Sequence, residues 1–310
     1  MSAVHNKSFI FDQYHISESD FLGAGMEAEV YAYSNDKVMK LYNHLSDAHK
    51  QKLLKSFYDS IKQNDLSYEL PRIYEIFEEK DYLITIEKRM KGTDMQSLLS
   101  NMDDLQLNKA MEMYLAANIE LKGLTLNKPL EGYTLFGDFG IPLTESNNWF
   151  DLLKNMMLKK QIELKSYFME DVESYEEKVD SLLDRLAAGY KGDYSIIHGD
   201  FYPGNLLLEK GKVTGLIDFG LMTMYGDYLF DVAVGWVCFD MYDVLKMNIR
   251  ERYLNMILDT LGENVKSSLY FYVLVYSMIT ANFYSKDCTD GHYQWCVDNL
   301  NRNDYWETLR

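Results

Sequence analysis

Residues 196–220 read IIHGDFYPGNLLLEKGKVTGLIDFG, and this stretch restricts the fold more than any other part of the chain. Asp200, Asn205 and Asp218 each stand where an apolar run begins or ends. Leu206–Leu208 and Val213–Ile217 are predicted to pair as an antiparallel hairpin turned at Glu209–Lys212. That pairing returns the end of the second strand to the start of the first, so Asn205 and Asp218 converge. Both are hard oxygen donors of the kind that Mg²⁺ takes. Asp200, across a loop containing Pro203 and Gly204, lies just outside the pair, where a carboxylate can accept a proton from a hydroxyl.

The rest of the chain supplies a setting for that hairpin. Residues 9–45 read as short strands and turns, with FLGAGMEAEVYAY and VMKLY as hairpin arms around SNDK. Residues 46–64 place Leu53, Leu54, Phe57, Tyr58 and Ile61 on one helical face, with Ser46 or Asp47 as N-cap. IYEIFEE and DYLITIE are two further strands. Helical periodicity then covers residues 104–124, 149–188, 227–283 and 291–308, broken by the loop YTLFGDFGIPLTESNN and the strands quoted above. The expected fold class is α+β: a small β-rich lobe over residues 1–90 and a larger, mostly helical lobe over 91–310. Their boundary near Glu87–Gly92 is short enough to let two lobes close over a cleft.

In the first lobe, Gly23-x-Gly25-x-x-Ala28 precedes Lys40, which sits in the apolar strand VMKLY. A glycine pair alone fits a plain hairpin turn equally well. A lysine amid apolar neighbours needs a partner for its charge, and a phosphate under a glycine-rich loop would be one. The net charge is −17, with most of the acidity beyond residue 90. That field repels nucleic acid and anionic membranes and attracts a polycationic small molecule, though it also serves simple solubility. Cys238, Cys288 and Cys296 make neither a disulfide framework nor a metal spacing, as in a reduced, cytoplasmic protein. MSAVHNKSFIFDQYHIS lacks the pattern of a secretion signal, and YFYVLVYSMITANF (residues 270–283) is too short for a bilayer and reads as a buried helix.

Asp-x-x-x-x-Asn, a hairpin and Asp-Phe-Gly follow the logic of kinase catalytic loops. HGDFYPGN, LIDFG and GDYLFDVA together resemble the aminoglycoside phosphotransferases, small-molecule kinases of the protein-kinase-like bilobal fold. TIEKRMKG and the YTLFGDFG…NNWFDLL region are similar to the hygromycin-type members. The resemblance implies Asp200 as catalytic base, Asn205 and Asp218 as Mg²⁺ ligands, and His198 and Asp231 as braces of the catalytic loop. It implies a site for ATP or GTP formed by Gly23, Gly25, Val30, Lys40, Glu87, Arg89 and Met90. It departs from the pattern in one respect: the helix after Lys40 contains no Glu to orient that lysine.

The implied acceptor is a small, cationic, hydroxylated molecule, with an aminoglycoside or aminocyclitol as first choice. Choline, homoserine-like metabolites, sugars and macrolides remain alternatives, as does a nucleotide-binding pseudokinase regulator. A protein kinase would need a longer segment between Asp218 and Asp231, and a metal hydrolase would leave Lys40 and the glycines unexplained. Tyr202, Asp227 and Trp236 are the candidates for acceptor contacts. Asp138, Tyr225, Asp240, Asp287, Asp290, Trp295 and Asp298 offer further acidic or aromatic contacts, although most such side chains in any protein serve the core or the surface. Oligomeric state has no signature in the sequence.

Overall fold

The first element among the described residues is a helix, α1 (Ser8–Tyr14), where strands were expected. Seven residues without a side-chain cap would not hold a helix alone. This one is held by packing: Ile10 is fully buried, and Phe9, Phe11 and Tyr14 cover one face of the sheet that follows. A computed structural model describes residues 7–25, 28–42, 47–62, 66–80, 82–127, 149–220 and 223–309.

Strands β1 (Phe21–Ala24), β2 (Ala28–Ala32) and β3 (Lys37–Tyr42) form an antiparallel meander. Helix α2 (Ala48–Ser60) follows, with Asp47 as the N-cap accepting from the Lys50 N–H. Strands β4 (Ile73–Glu79) and β5 (Tyr82–Lys88) complete a five-stranded sheet in the order β1-β2-β3-β5-β4. Side chains alternate across a strand, so the register divides the sheet into two faces. Tyr31, Met39, Leu41, Ile84 and Ile86 face α1 in a small core. Val30, Lys40 and Thr85 stand opposite one another on the other face, which looks into the cleft.

After β5 the chain passes through Arg89–Lys91 to Gly92, whose φ is +118°. A side chain there would strike Thr214 Oγ1 at 2.6 Å and the Leu208 carbonyl oxygen at 2.9 Å, so this crossing requires glycine. Next come β6 (Thr93–Asp94), α3 (Met95–Leu99) and α4 (Asp104–Leu121). The expected helix over 149–188 is two, α5 (Trp149–Asp171) and α6 (Tyr175–Ala187), broken at Ser174 with φ +51°. Short strands β7 (Ser195–Ile197), β8 (Leu206–Glu209), β9 (Lys212–Leu216) and β10 (Met224–Gly226) carry the segment singled out in the sequence.

Helices α7 (Tyr228–Cys238), α8 (Ile249–Leu261), α9 (Lys266–Thr280), α10 (Gly291–Leu300) and α11 (Asn303–Glu307) finish the larger lobe. Every residue of α9 from Leu269 to Thr280 is buried, and α5, α7, α10 and α11 pack around it. That burial explains the apolar run at 270–283. Among the described residues no helix is long and apolar enough to cross a membrane.

Candidate active site

The hairpin forms as its pattern predicts. β8 pairs antiparallel with β9, Leu206 lies opposite Leu216, and the Ile217 N–H donates to the Asn205 carbonyl at 2.9 Å. That last bond sets Asn205 beside the residue preceding Asp218. Asp218 takes φ +62°, a left-handed conformation that costs a non-glycine residue about 1 kcal/mol or more. Its carboxylate is exposed in the cleft, while the next side chain, Phe219, is buried against Phe57 of α2 and the His198 ring.

Asp200 leaves the end of β7 on a loop held by several internal contacts. Asp231, buried in the first turn of α7, accepts from the His198 N–H at 2.6 Å and the Gly199 N–H at 2.8 Å. His198 Nδ1 accepts from the Asp200 N–H at 3.2 Å, which leaves Nε2–H to donate to the Ile217 carbonyl at 2.8 Å. One neutral imidazole therefore ties the Asp200 loop to the Asp218 loop. Thr223, which the sequence reading missed, adds a second tie: it donates to the His198 carbonyl and accepts from the Gly220 N–H, both at 2.9 Å. Its only sequence signal is a hydroxyl beside an Asp-Phe-Gly turn.

Asn205 directs its amide at Asp200, with Nδ2 2.9 Å from the Asp200 carbonyl and 3.3 Å from Oδ2. The Asn205 Oδ1, the acceptor atom of the same amide, takes no part in those two contacts. Burial, then the charge of Asp218, raises the Asp200 carboxyl to about 6, with the Asn205 amide opposing the rise. A carboxylate of that basicity takes a proton more readily than an ordinary aspartate. No group of three or more His, Cys, Asp or Glu among the described residues can hold a metal alone. Two oxygens, Asn205 Oδ1 and Asp218, fit Mg²⁺ shared with substrate phosphates, because that ion keeps few protein ligands in such sites.

The helix after Lys40 contains no Glu, and its one acid, Asp59, pairs with Lys55 at 2.7 Å. The partner comes from the sheet: Lys40 Nζ lies 3.1 Å from Glu87 Oε2. Glu87, expected as part of the nucleotide connector, belongs to β5 with its side chain buried and committed to Lys40. Glu87 Oε1 also accepts from Thr85 Oγ1 at 2.6 Å and the Tyr42 hydroxyl at 3.2 Å. Burial works against charge on Lys40, but Glu87, Tyr42 and Asp218 outweigh it and hold the ammonium well above its ordinary pKa. Of the other connector residues, Arg89 donates its N–H to the Asp36 carbonyl, and Met90 lies against Gly215 of β9.

Gly23 and Gly25 lie on either side of the β1 end, and a side chain at either would meet nothing. Neither has a positive φ, so among the described residues no backbone strain or close neighbour calls for glycine there. Residues 26 and 27 of that loop, and Asp138, lie outside the described residues.

The acceptor candidates part company. Tyr202 is 37% exposed and lies within the field of Asp200, Asp218 and Tyr284; the partial burial of its side chain and these neighbours raise its hydroxyl to about 12. Tyr284, a residue with no recognisable sequence signal, is 65% exposed beside it. Asp227 is the buried N-cap of α7 and accepts from the Tyr272 hydroxyl at 2.7 Å, a structural employment that keeps it from the cleft. Trp236 is buried too, with its indole N–H donating to the Arg250 carbonyl at 2.7 Å. Asp290 caps α10, and Asp240 accepts from the Val244 N–H.

His198 carries a prediction of its own. Burial lowers its pKa to about 4, against an unfolded value near 6.5. The folded protein resists protonation, so this group costs stability as pH falls from about 6.5 to 4, by roughly 1.4 kcal/mol per pH unit. Burial raises Asp231 to about 7, so its cost is relieved as pH falls through the same window. Asp200, raised to about 6, acts in the same sense as Asp231, so a melting curve does not isolate the histidine. The expected result is an imidazole ¹⁵N pattern of a neutral Nε2–H tautomer, unchanged from pH 8 to pH 5; titration above pH 5.5 would contradict it.

A sheet lobe with a paired lysine, set over a loop and hairpin bearing Asp, Asn and Asp, defines a class: phosphotransferases of the kinase fold. The chain belongs to the phosphotransferase enzyme family (APH), whose profile matches residues 21–271. Solved structures of similar fold include a thermostable mutant of aminoglycoside phosphotransferase APH(4)-Ia in ternary complex with ADP and hygromycin B. It has 16% identity and a TM-score of 0.70, and the match covers 97% of this chain and 98% of that one. The gentamicin complex of APH(2")-IIa matches with 16% identity and a TM-score of 0.62 over 97% of both chains. The GDP complex of aminoglycoside 2'-phosphotransferase-IIIa matches with 15% identity and a TM-score of 0.62, covering 98% of this chain and 100% of that one. No curated protein sequence matches significantly.

Proposed function

We propose that this phosphotransferase moves the γ-phosphoryl group of ATP or GTP to a hydroxyl of a small cationic acceptor, with an aminoglycoside or aminocyclitol as the favoured class. The observation that carries this reading is the Asp200 carboxylate, set beside Asn205 and Asp218 and facing a sheet that presents a lysine already paired with an acid. Lys40, oriented by Glu87, holds nucleotide phosphate oxygens. Gly23 and Gly25 let the loop backbone come close to them, and Val30, Arg89 and Met90 line the path to the base. Asp200 orients the acceptor hydroxyl and takes its proton as the oxygen attacks. Asn205 and Asp218 would hold Mg²⁺, which would supply charge neutralisation at the phosphates. His198, Asp231 and Thr223 keep the two loops in register.

Aminoglycosides are favoured because the family match and neighbours crystallised with hygromycin B and gentamicin agree with the chain's net charge of −17. The pseudokinase reading rested on the missing helix acid, and Glu87 removes that support. The test is turnover of ATP and of GTP, with Mg²⁺, against hygromycin B, gentamicin, a macrolide, choline and homoserine. Phosphorylation of an aminoglycoside well above the others is the expected result. Turnover confined to another acceptor would sink the aminoglycoside assignment and keep the chemistry. Nucleotide binding without turnover of any acceptor would sink both.

A further inference from the structure

Asp231, His198 and Asn205 hold the loop that bears Asp200: between them they meet the His198, Gly199 and Asp200 N–H groups and the Asp200 carbonyl. The next backbone acceptor is the carbonyl of Phe201, a fully buried residue, and a buried carbonyl needs a donor. Among the described residues that donor is the Tyr114 hydroxyl, at 2.7 Å. Tyr114 reaches it from α4, 87 residues earlier in the chain. On that helix Leu107, Met111, Tyr114 and Asn118 are buried at spacings of three and four, one stripe that carries the tyrosine into the core beside α7. A helix outside the catalytic segment thus supplies one polar atom to the residue next to Asp200.

Packing holds the tyrosine in that pose. Its ring lies 4.9 Å from the Phe201 ring, 5.2 Å from Phe239 and 5.9 Å from Tyr253, centroid to centroid. Beside it in α7 stands Gly235, whose φ is not positive, so backbone strain does not call for glycine. Glycine within a helix costs about 0.5–1 kcal/mol relative to alanine. A Cβ there would lie 3.2 Å from the Tyr114 hydroxyl oxygen and 3.2 Å from Cε1, tighter than ordinary contact. The α7 backbone therefore leaves room for the tip of this side chain. Burial above all raises the hydroxyl well above its ordinary pKa, so the O–H keeps its proton and donates. The Asp200 carboxylate itself has one hydrogen-bond partner among the described residues, the Asn205 amide at 3.3 Å. Its direction therefore follows the backbone that carries it.

We infer that Tyr114 is a positioning residue for phosphoryl transfer: by holding the Phe201 carbonyl it fixes where the Asp200 carboxylate points. The inference rests on the proposed role of Asp200. Tyr114→Phe tests it, because this change keeps the ring and its packing and removes only the donor. The released carbonyl lets the loop shift, and a displacement of about 1 Å at a reacting group can cost up to about 10²-fold in rate. Turnover is measured with ATP, Mg²⁺ and hygromycin B, or the acceptor of the same panel that turns over fastest. It is expressed per ADP-binding site, counted by titration, so that unfolded molecules drop out of the comparison. The expected result is a kcat about tenfold lower with the nucleotide KM within about twofold of wild type. In the Asp200→Ala background the same substitution should add no further loss, since the group it positions is gone. A merely structural tyrosine would lower the count of binding sites and leave kcat per site unchanged, and that result overturns the inference. An equal loss with and without Asp200 overturns it too, because Tyr114 would then act on some other group. Full turnover in Asp200→Ala alone would instead sink the proposed role of Asp200, and this inference with it.

Discussion

Asp200→Ala is expected to lower kcat by about 10²- to 10⁴-fold, the usual worth of a positioned proton acceptor, while nucleotide affinity changes little. The separation follows from the geometry. Asp200 touches Asn205 through its carboxylate, but the loop backbone is fixed from behind by Asp231 and by the His198 ring. Removing the carboxylate therefore empties one position without releasing the loop. Asp200→Asn keeps the size, loses the basic site and should fall as far. Rapid-quench turnover, together with ADP titration of the same variants, checks both halves. A variant that loses nucleotide binding in proportion to turnover would show that Asp200 supports structure rather than proton transfer.

The second large effect is expected at the Lys40–Glu87 pair. Glu87 is about 4% exposed and accepts from Lys40, Thr85 and Tyr42 at once. Glu87→Leu strands a half-buried ammonium and two hydroxyls, and breaking a buried pair from one side costs at most about 3–5 kcal/mol. Lys40→Met strands the carboxylate and is expected to cost somewhat less, because two hydroxyls still serve Glu87. In the double variant Lys40→Met/Glu87→Leu no buried charge remains, and much of the lost stability should return. Turnover should not return, since no ammonium is left for the phosphates. Denaturant melts of the four proteins give the coupling energy. Additive losses would mean that the pair is not coupled as its 3.1 Å distance implies.

The contrast between these two sites explains how far the sequence could be read. Asp200, Asn205 and Asp218 lie on one contiguous loop and hairpin, and a hairpin's register follows from its turn and its apolar pattern. Local sequence therefore carries their convergence. Glu87 is different. It lies far from Lys40 along the chain, and the two meet only because β3 pairs with β5 with Val38 opposite Glu87. No single-strand pattern reveals which acid an adjacent strand will offer. Helix α1 escaped for the same reason: its seven residues have no cap, and they are helical because Ile10 finds a place on a sheet built from later residues. Trp236 and Asp227 show the converse limit. Residue type suggested contacts with an acceptor, whereas burial and hydrogen bonding turn both inward.

The left-handed backbone at Asp218 sets stability and activity against each other at a single codon. Glycine is the residue most at ease with φ near +62°, so any screen that rewards only thermal tolerance will favour glycine there. The same change deletes the carboxylate on which the proposed metal site depends. Directed evolution of a hardier version of this enzyme would thus need an activity filter at every round, or position 218 held fixed from the start.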